Sequence, residues 1–414
     1  MTLSKQEKYT ILERAFTSYK NLNRILIIPP DFTRYHSGAG ELTAIIYEIF
    51  AGCADIDIIP ALGTHIPMSE REIKTMFGTS IPLEKFIVHD WRRDLTQLGI
   101  VPSDRVAEWS QEVVNYNVNV EVNRILLKNY DLIISIGQVV PHEVVGMANY
   151  TKNICVGVGG ADLINKSHFM GAAFGMERMM GKTDTPVRKL FNYAVDTFMS
   201  DLPICYVMSV VGKDQESKKT TIQGLFTGGE EAFREAADLS RSLNFDILDT
   251  PLKKVIVYLD PEEFKSTWLG NKAIYRTRMA LADDGELIIL APGLKEFGED
   301  PEIDKLIRKF GYKGTEATMT LLEESEELKN NLSAAAHLIH GSSEGRFNIT
   351  YCPGAGITNK EIEQVGFNAG SLNQMLKKFN PDILSDGFNT VDGENIFFIS
   401  NPAAGLWAAK DKIR

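Results

Sequence analysis

Residues 141–152 read PHEVVGMANYTK, directly after the apolar run DLIISIGQVV, so an imidazole at position 142 and an amine at 152 stand ten residues apart (152 − 142) beyond one apolar segment. Other apolar runs end in the same manner. RILIIPP leads into DFTRYHS, which offers Asp31, Thr33, Arg34 and His36, and IDIIPAL leads into GTHIP, which offers Thr64 and His65. KVIVYLD is followed by STWLGNKAIYR, with Lys272, and His168 lies in the glycine-rich stretch GVGGADLINKSHFMGAAFG. Two imidazoles, each with an ordinary pKa of about 6.5, can exchange protons on either side of a substrate at neutral pH. Arginine grips a carboxylate with a two-pronged fork, and lysine holds it as a point charge. A lysine in a pocket can also bond covalently to a cofactor carbonyl. A further histidine can ligate nickel, copper or zinc. The glycine-rich run 157–160 could bring backbone N–H groups close to a phosphate. Against this, Asp31 and Arg34 could simply brace a turn, and His36, His89, His337 and His340 are read as structural.

These groups matter only if the fold gathers them. Short apolar, β-branched runs alternate with helix-patterned segments, the pattern of an α/β chain. Strands are read at 24–29, 56–62, 85–89, 130–137 and 203–210, and in a second series at 254–259, 286–292, 348–352 and 395–400. Their near-continuous hydrophobicity predicts burial on both faces. Ser69 and Glu72 form a capping box that starts a helix, with Gly78 to close it; further helices begin at Thr358 and at GSLNQMLKK, 370–378. In open α/β sheets ligands bind beyond the carboxyl ends of strands, which is where most of the polar groups fall.

A chain of 414 residues exceeds one ordinary core, so two domains are expected: residues 1–250, carrying the candidate site histidines, and 251–401, with 402–414 returning to the first. The net charge of −11 argues against a nucleic-acid partner. Cys53, Cys155, Cys205 and Cys352 are scattered without paired spacing, as in a reducing compartment. The opening MTLSKQEKYTILERAF lacks a signal-peptide core, and no apolar run approaches the roughly 18 residues of a membrane span. A cytoplasmic protein is expected.

The ordered set DFTR (31–34), GTHIP (63–67), Pro141-His142, Lys152, His168 and Lys272 resembles the lactate racemase family, whose members use a nickel-pincer nucleotide. The likeness runs through both expected domains, and the sixteen residues from Lys152 to His168 match the family's interval. The resemblance implies that Lys152 carries the cofactor, a pyridinium mononucleotide with two sulfur-containing arms, through a thioamide bond. His168 would be the protein ligand to nickel, and His65 and His142 the acid/base pair. Arg34 and Lys272 would orient the substrate carboxylate, and Asp31, Thr33 and Arg34 would hold the cofactor end of the site. Since Lys272 comes from the second domain, the implied site is a cleft between two α/β domains. The implied reaction inverts C2 of a small-molecule 2-hydroxy acid through transient hydride transfer, which avoids a carbanion beside an ionised carboxylate. Proteins that synthesise the cofactor would be cellular partners.

The chain departs from the family pattern. GMANYTK (146–152) stands where lactate racemase has a stretch like GYSGGRK, and Leu269 occupies the place of a substrate-facing glutamine. Tyr35 and His36 could meet a longer polar tail. These changes point away from lactate and toward a larger acid, a sugar acid or a hydroxy-dicarboxylate. Two rival readings compete: a zinc-type metallohydrolase using His65, His142 and His168, and a non-catalytic nucleotide or carboxylate binder.

Overall fold

The computed structural model describes residues 2–214 and 219–413. The chain divides into two compact units: Met1–Met170 with Met179–Asn244, and Gly171–Arg178 with Phe245–Arg414. Each is an α/β layer structure.

The first unit is built on five strands: β1 (Arg24–Ile28), β2 (Asp55–Ile58), β3 (Leu132–Gln138), β4 (Ile204–Lys213) and β5 (Thr220–Gly228). They lie in the order β2-β1-β3-β4-β5, all parallel except the β4–β5 edge pair. Ile25, Leu26, Ile27 and Ile28 are fully buried, as are Ile133 and Ile134, so the continuous apolar runs do fill both faces of a parallel sheet. Helix Ala39–Phe50 covers one face through Leu42, Ile45 and Ile46, which pack with Ile25, Ile27 and Ile134 in one core. Three helices matter below: α1 (Thr151–Cys155), α2 (Ala161–Phe174) and α3 (Pro186–Phe198).

The second unit repeats the scheme with β6 (Leu252–Tyr258), β7 (Leu281–Ala291), β8 (Asn348–Pro353), β9 (Asn368–Ala369), β10 (Gly387–Val391) and β11 (Glu394–Ile399). Their order is β9-β8-β7-β6-β11-β10, with only β10 antiparallel. Segment Gly171–Arg178 joins this unit through Glu177, which receives Arg278 Nε at 2.9 Å and an Arg346 guanidinium nitrogen at 2.6 Å.

Several expectations need correction. The domain boundary falls at 244/245 rather than 250, because Asp246–Leu248 pairs in parallel with Trp407–Ala409. That pairing also keeps 402–414 with the second unit instead of returning it to the first. Residues 85–89 form no strand; Phe86 makes one isolated bridge to Ile58, and a 3-10 turn occupies Leu83–Lys85. A hairpin of Leu95–Val101 with Val118–Asn123 escapes the sequence reading because it alternates polar with apolar residues in short stretches. The capping boxes at Ser69 and Thr358 are both formed, and Gly78 closes its helix at φ 80°. Among the described residues no helix is long and apolar enough to cross a membrane.

Candidate active site

The carboxyl ends of β1, β2 and β3 open onto one cavity of about 230 Å³, lined from Pro30 to His168 entirely by residues of the first unit. A water occupies about 30 Å³ in the liquid, so this space suits a small ligand rather than isolated waters. Asp31, Thr33, Arg34, Thr64, His65, His142, Lys152 and His168 all line it. The sequence-derived set from the first unit therefore converges.

The parallel register explains the first contact. β1 and β2 continue past their ends by one bridge, Pro30 to Ala61, which brings the next loops together. His65 Nδ1 lies 2.7 Å from Asp31 Oδ2. A carboxylate accepts only, so Nδ1 carries the proton and Nε2 keeps its lone pair. Thr33 donates its hydroxyl to Asp31 Oδ1. Burial alone would raise the Asp31 pKa, but these hydrogen bonds and the Arg34 charge outweigh it and hold the carboxyl below its ordinary value. Asp31 and Thr33 thus act on each other and on His65, an arrangement not legible in their spacing.

His142 sits in a two-residue ribbon, Pro141–His142 against Gly146–Met147. The Val144 N–H donates to His142 Nδ1 at 3.1 Å, so in the neutral ring the proton must be on Nε2. Burial first, then the charges of Lys152 and Arg34 and the His168 ring, push its pKa well below 6.5 against the opposing pull of Glu143. His65 and His142 are therefore held in opposite tautomers, one offering a lone pair at Nε2 and the other an N–H.

Lys152 is the second residue of the short α1 helix. Burial, then the Arg34 and Arg188 charges, lower its pKa to about 8, with Glu143 and Asp31 opposing. An amine so placed is largely poised for loss of its proton and for covalent chemistry. On α2, His168 donates Nδ1–H to the Ile164 carbonyl one turn earlier, at 2.7 Å, and burial lowers its pKa to about 4. Its Nε2 is left as a neutral lone-pair nitrogen, the state of a metal ligand whose other nitrogen is oriented by a carbonyl. The chemistry of this pair fits a lysine-linked, nickel-bearing nucleotide.

Other expectations fare differently. Among the described residues no three His, Cys, Asp or Glu side chains stand close enough to hold a metal together. The three histidines of the zinc-hydrolase reading are thus not grouped around one ion site among the described residues. Gly157 and Gly160 spend their N–H groups on the carbonyls of Asn153 and Glu121, so the glycine run is packed chain rather than a phosphate cradle. Tyr35 and His36 pack against each other and do not line the cavity. Lys272 belongs to the second unit, at the start of helix Lys272–Thr277, with its ammonium 5.8 Å from the Phe264 ring centre; Leu269 is half-buried in the preceding turn.

Three residues given no role from the sequence, Arg188, Gly146 and Asn149, complete the site. Arg188, buried on α3, donates to the carbonyls of Asn149 (3.1 Å) and Met147 (2.6 Å) and to Thr151 Oγ1 (2.8 Å). It clamps the loop that presents Lys152. Gly146 starts that loop at φ 85°, where a Cβ would lie 2.2 Å from the Lys182 carbonyl. Asn149 lines the cavity. A buried arginine among apolar neighbours gives no sequence signal, but the exchange of two family glycines for Asn149-Tyr150 was visible.

Residues 11–180 match the family model described as the lactate racemase N-terminal domain, and every cavity-lining residue lies inside that stretch. The fold is similar to a crystal structure of a protein from Thermotoga maritima, 21% identical over 99% of both chains with a TM-score of 0.81. It is also similar to the lactate racemase apoprotein from Thermoanaerobacterium thermosaccharolyticum, 17% identical over 97% of this chain and 92% of that one, TM-score 0.70. No protein of curated function matches the sequence. The matched segment and the site that it builds lead to one conclusion: residues 11–180 are similar to the lactate racemase N-terminal domain, and the chain shares its fold with the lactate racemase apoprotein.

Proposed function

We propose that this chain inverts C2 of a 2-hydroxy acid, with Lys152 tethering a nickel-pincer nucleotide and His168 ligating its nickel. At the family level the activity is that of a racemase or epimerase. The observation that carries the finer reading is the meeting, in one cavity, of an amine driven toward neutrality and two histidines locked in opposite tautomers. When bound, such a cofactor supplies reversible acceptance of the C2 hydride. The remaining work falls to the chain. Asp31 fixes the His65 ring so that Nε2 faces its task as a base for the C2 hydroxyl proton. His142 serves the opposite face; it becomes an acid only on protonation, which the loss of the Lys152 charge on tethering and the arriving substrate carboxylate, set against the Arg34 charge, both favour. Arg34 grips that carboxylate, and Lys272 is assigned the same task on the family pattern. The cytoplasm, where cofactor-building proteins would meet the chain, is the proposed location.

The test is inversion of C2-deuterated 2-hydroxy acids by protein made alongside those cofactor-building enzymes. Inversion with the deuterium retained at C2 is expected, falling about 10²–10⁴-fold in His65→Ala and in His142→Ala. Inversion that survives His142→Ala, or deuterium lost to water, would contradict the assignment.

A further inference from the structure

We propose that Glu143 is the positioning residue that brings His142 into service, by replacing the Val144 N–H as the partner of its Nδ1; this rests on the reading that His142 is one of the acid/base pair for C2 inversion. The arrangement in the structure is a resting one. The Val144 N–H donates to His142 Nδ1 across 3.1 Å, so the neutral ring carries its proton on Nε2. Nδ1 is spent on the ribbon, and Nε2 is the nitrogen left for a substrate. A neutral ring in that tautomer has no lone pair at Nε2 to take a hydroxyl proton, and it holds its own proton too firmly to act as an acid. Either role at Nε2 needs a hydrogen on Nδ1, where it would meet the Val144 N–H donor against donor.

One carboxylate stands where that hydrogen can go. Glu143 Oε2 lies 3.9 Å from the same Nδ1, with the His142 side chain 10% and the Glu143 side chain 21% exposed. A movement of about 1 Å closes this gap to the roughly 2.7–2.9 Å of a charge-assisted hydrogen bond. The turn itself is fixed: Val144 and Val145 are buried, and the Thr185 hydroxyl donates to the Val145 carbonyl at 3.0 Å. The imidazole ring and the Glu143 side chain are therefore the parts that move. Asp31 already stands 2.7 Å from His65 Nδ1 and keeps that ring in its Nδ1–H form. Glu143 is the same kind of partner, held one step back.

The surrounding charges set when the exchange occurs. Glu143 favours a protonated ring, while Lys152, Arg34 and His168 oppose it. Tethering removes the Lys152 charge and a substrate carboxylate offsets Arg34, so a solvent proton settles on Nδ1 and the ring turns to Glu143. His142 then gives its Nε2 proton to the C2 oxygen. An O–H bond forms, the Nε2–H bond breaks, and the ring keeps the Nδ1–H that Glu143 holds. It is now neutral with a lone pair at Nε2, ready to take the hydroxyl proton of the opposite enantiomer. The carboxylate lets one imidazole serve as acid and as base; the Val144 bond otherwise keeps it idle.

Nitrogen NMR of cofactor-free protein carrying isotope-labelled histidine tests the contact, with His142 assigned by its absence in His142→Gln. At neutral pH the wild type is expected to show the Nε2–H tautomer, with Nδ1 gaining its proton only below about pH 6.5. In Glu143→Gln, which is close to isosteric, that midpoint is expected to fall by about 0.5 pH or more. In cofactor-loaded protein acting on the C2-deuterated acid that the wild type inverts fastest, Glu143→Gln is expected to lose about tenfold or more in kcat with little change in KM. The descending limb of its pH–rate profile should move to lower pH, because the ring that must be protonated holds its proton less tightly. An unchanged midpoint, a wild-type ring already protonated on Nδ1 when neutral, or a kcat within about twofold of the wild type overturns the proposal. A wild type that inverts no acid sinks the racemase reading instead, and the midpoint alone then decides whether Glu143 holds Nδ1.

Discussion

Each unit carries a histidine partly or wholly buried on a helix, His168 in the first and His337 in the second, in different surroundings. In the second unit His337 is sealed. The Tyr312 hydroxyl lies 2.9 Å from His337 Nε2 and 2.8 Å from Thr267 Oγ1, while Tyr351 donates to Asn271 Oδ1 at 2.7 Å. Burial lowers the His337 pKa to about 3. In the first unit His168 is shifted in the same direction by the same cause, to about 4, but only one of its nitrogens is engaged with the protein and the ring borders a cavity. A depressed pKa therefore does not distinguish a functional histidine from a structural one. The surroundings differ: the His168 ring borders the cavity, whereas the His337 ring is packed against Trp268 and Tyr312.

The contrast can be broken by substitution. The largest expected effect is on the loop that presents Lys152. Arg188→Ala strands two carbonyls and Thr151 beside a left-handed backbone, and should cost about 3 kcal/mol or more, since hydrogen bonds from a charged group are worth about 1.5–3 kcal/mol each. A denaturant midpoint series would read it; a loss below about 1 kcal/mol would show that the loop holds itself.

Lys152→Met should go the other way in the cofactor-free protein. A lysine pKa of about 8 instead of 10.5 means that the folded state holds this proton less tightly than the unfolded state. The penalty is complete below about pH 8 and fades as pH rises toward 10.5, because there the unfolded lysine alone still binds a proton. Removing the amine should stabilise the protein by about 3–4 kcal/mol at pH 7, at about 1.4 kcal/mol per pKa unit. The gain should vanish above about pH 10.5, and a gain independent of pH would contradict the assigned cause.

Asp31→Asn should lower the rate of inversion about 10–100-fold with a smaller change in KM, since the amide no longer enforces the Nδ1–H tautomer of His65. A displaced pH–rate profile would separate this positioning role from simple loss of fold. The smallest effect belongs to the sealed network. Tyr312→Phe should cost about 1 kcal/mol of stability and leave modification of Lys152 unchanged; a change in that modification would erase the distinction between the two regions.

How far the sequence carried this picture follows from which forces act locally. Continuous runs such as RILII announce themselves as buried parallel strands, and Ser69–Glu72 and Thr358–Glu361 announce helix starts, because capping is decided within four residues. The site residues of the first unit were legible for a related reason: parallel strands deliver their loops to one edge. What escaped depended on distant partners. The Asp31–His65 pair needs the register of β1 on β2, and the Arg188 clamp needs α3 beneath a loop some forty residues earlier, as the Arg188–Asn149 and Arg188–Met147 bonds record. The boundary at 244/245 needs Trp407–Ala409 to reach back to Asp246–Leu248. None of these leaves a mark on the neighbouring residues.

The central claim is that the amine at 152, gathered with the histidines of the first unit, is the attachment point of a nickel-bearing nucleotide. Intact-mass and peptide mass measurements, with nickel quantified, on protein produced alongside cofactor-building enzymes test it most directly. The account predicts one added nucleotide mass on Lys152 and about one nickel per chain, both lost in Lys152→Ala, and nickel alone lost in His168→Ala. An unmodified Lys152 in that preparation, or a nucleotide attached elsewhere, would contradict it.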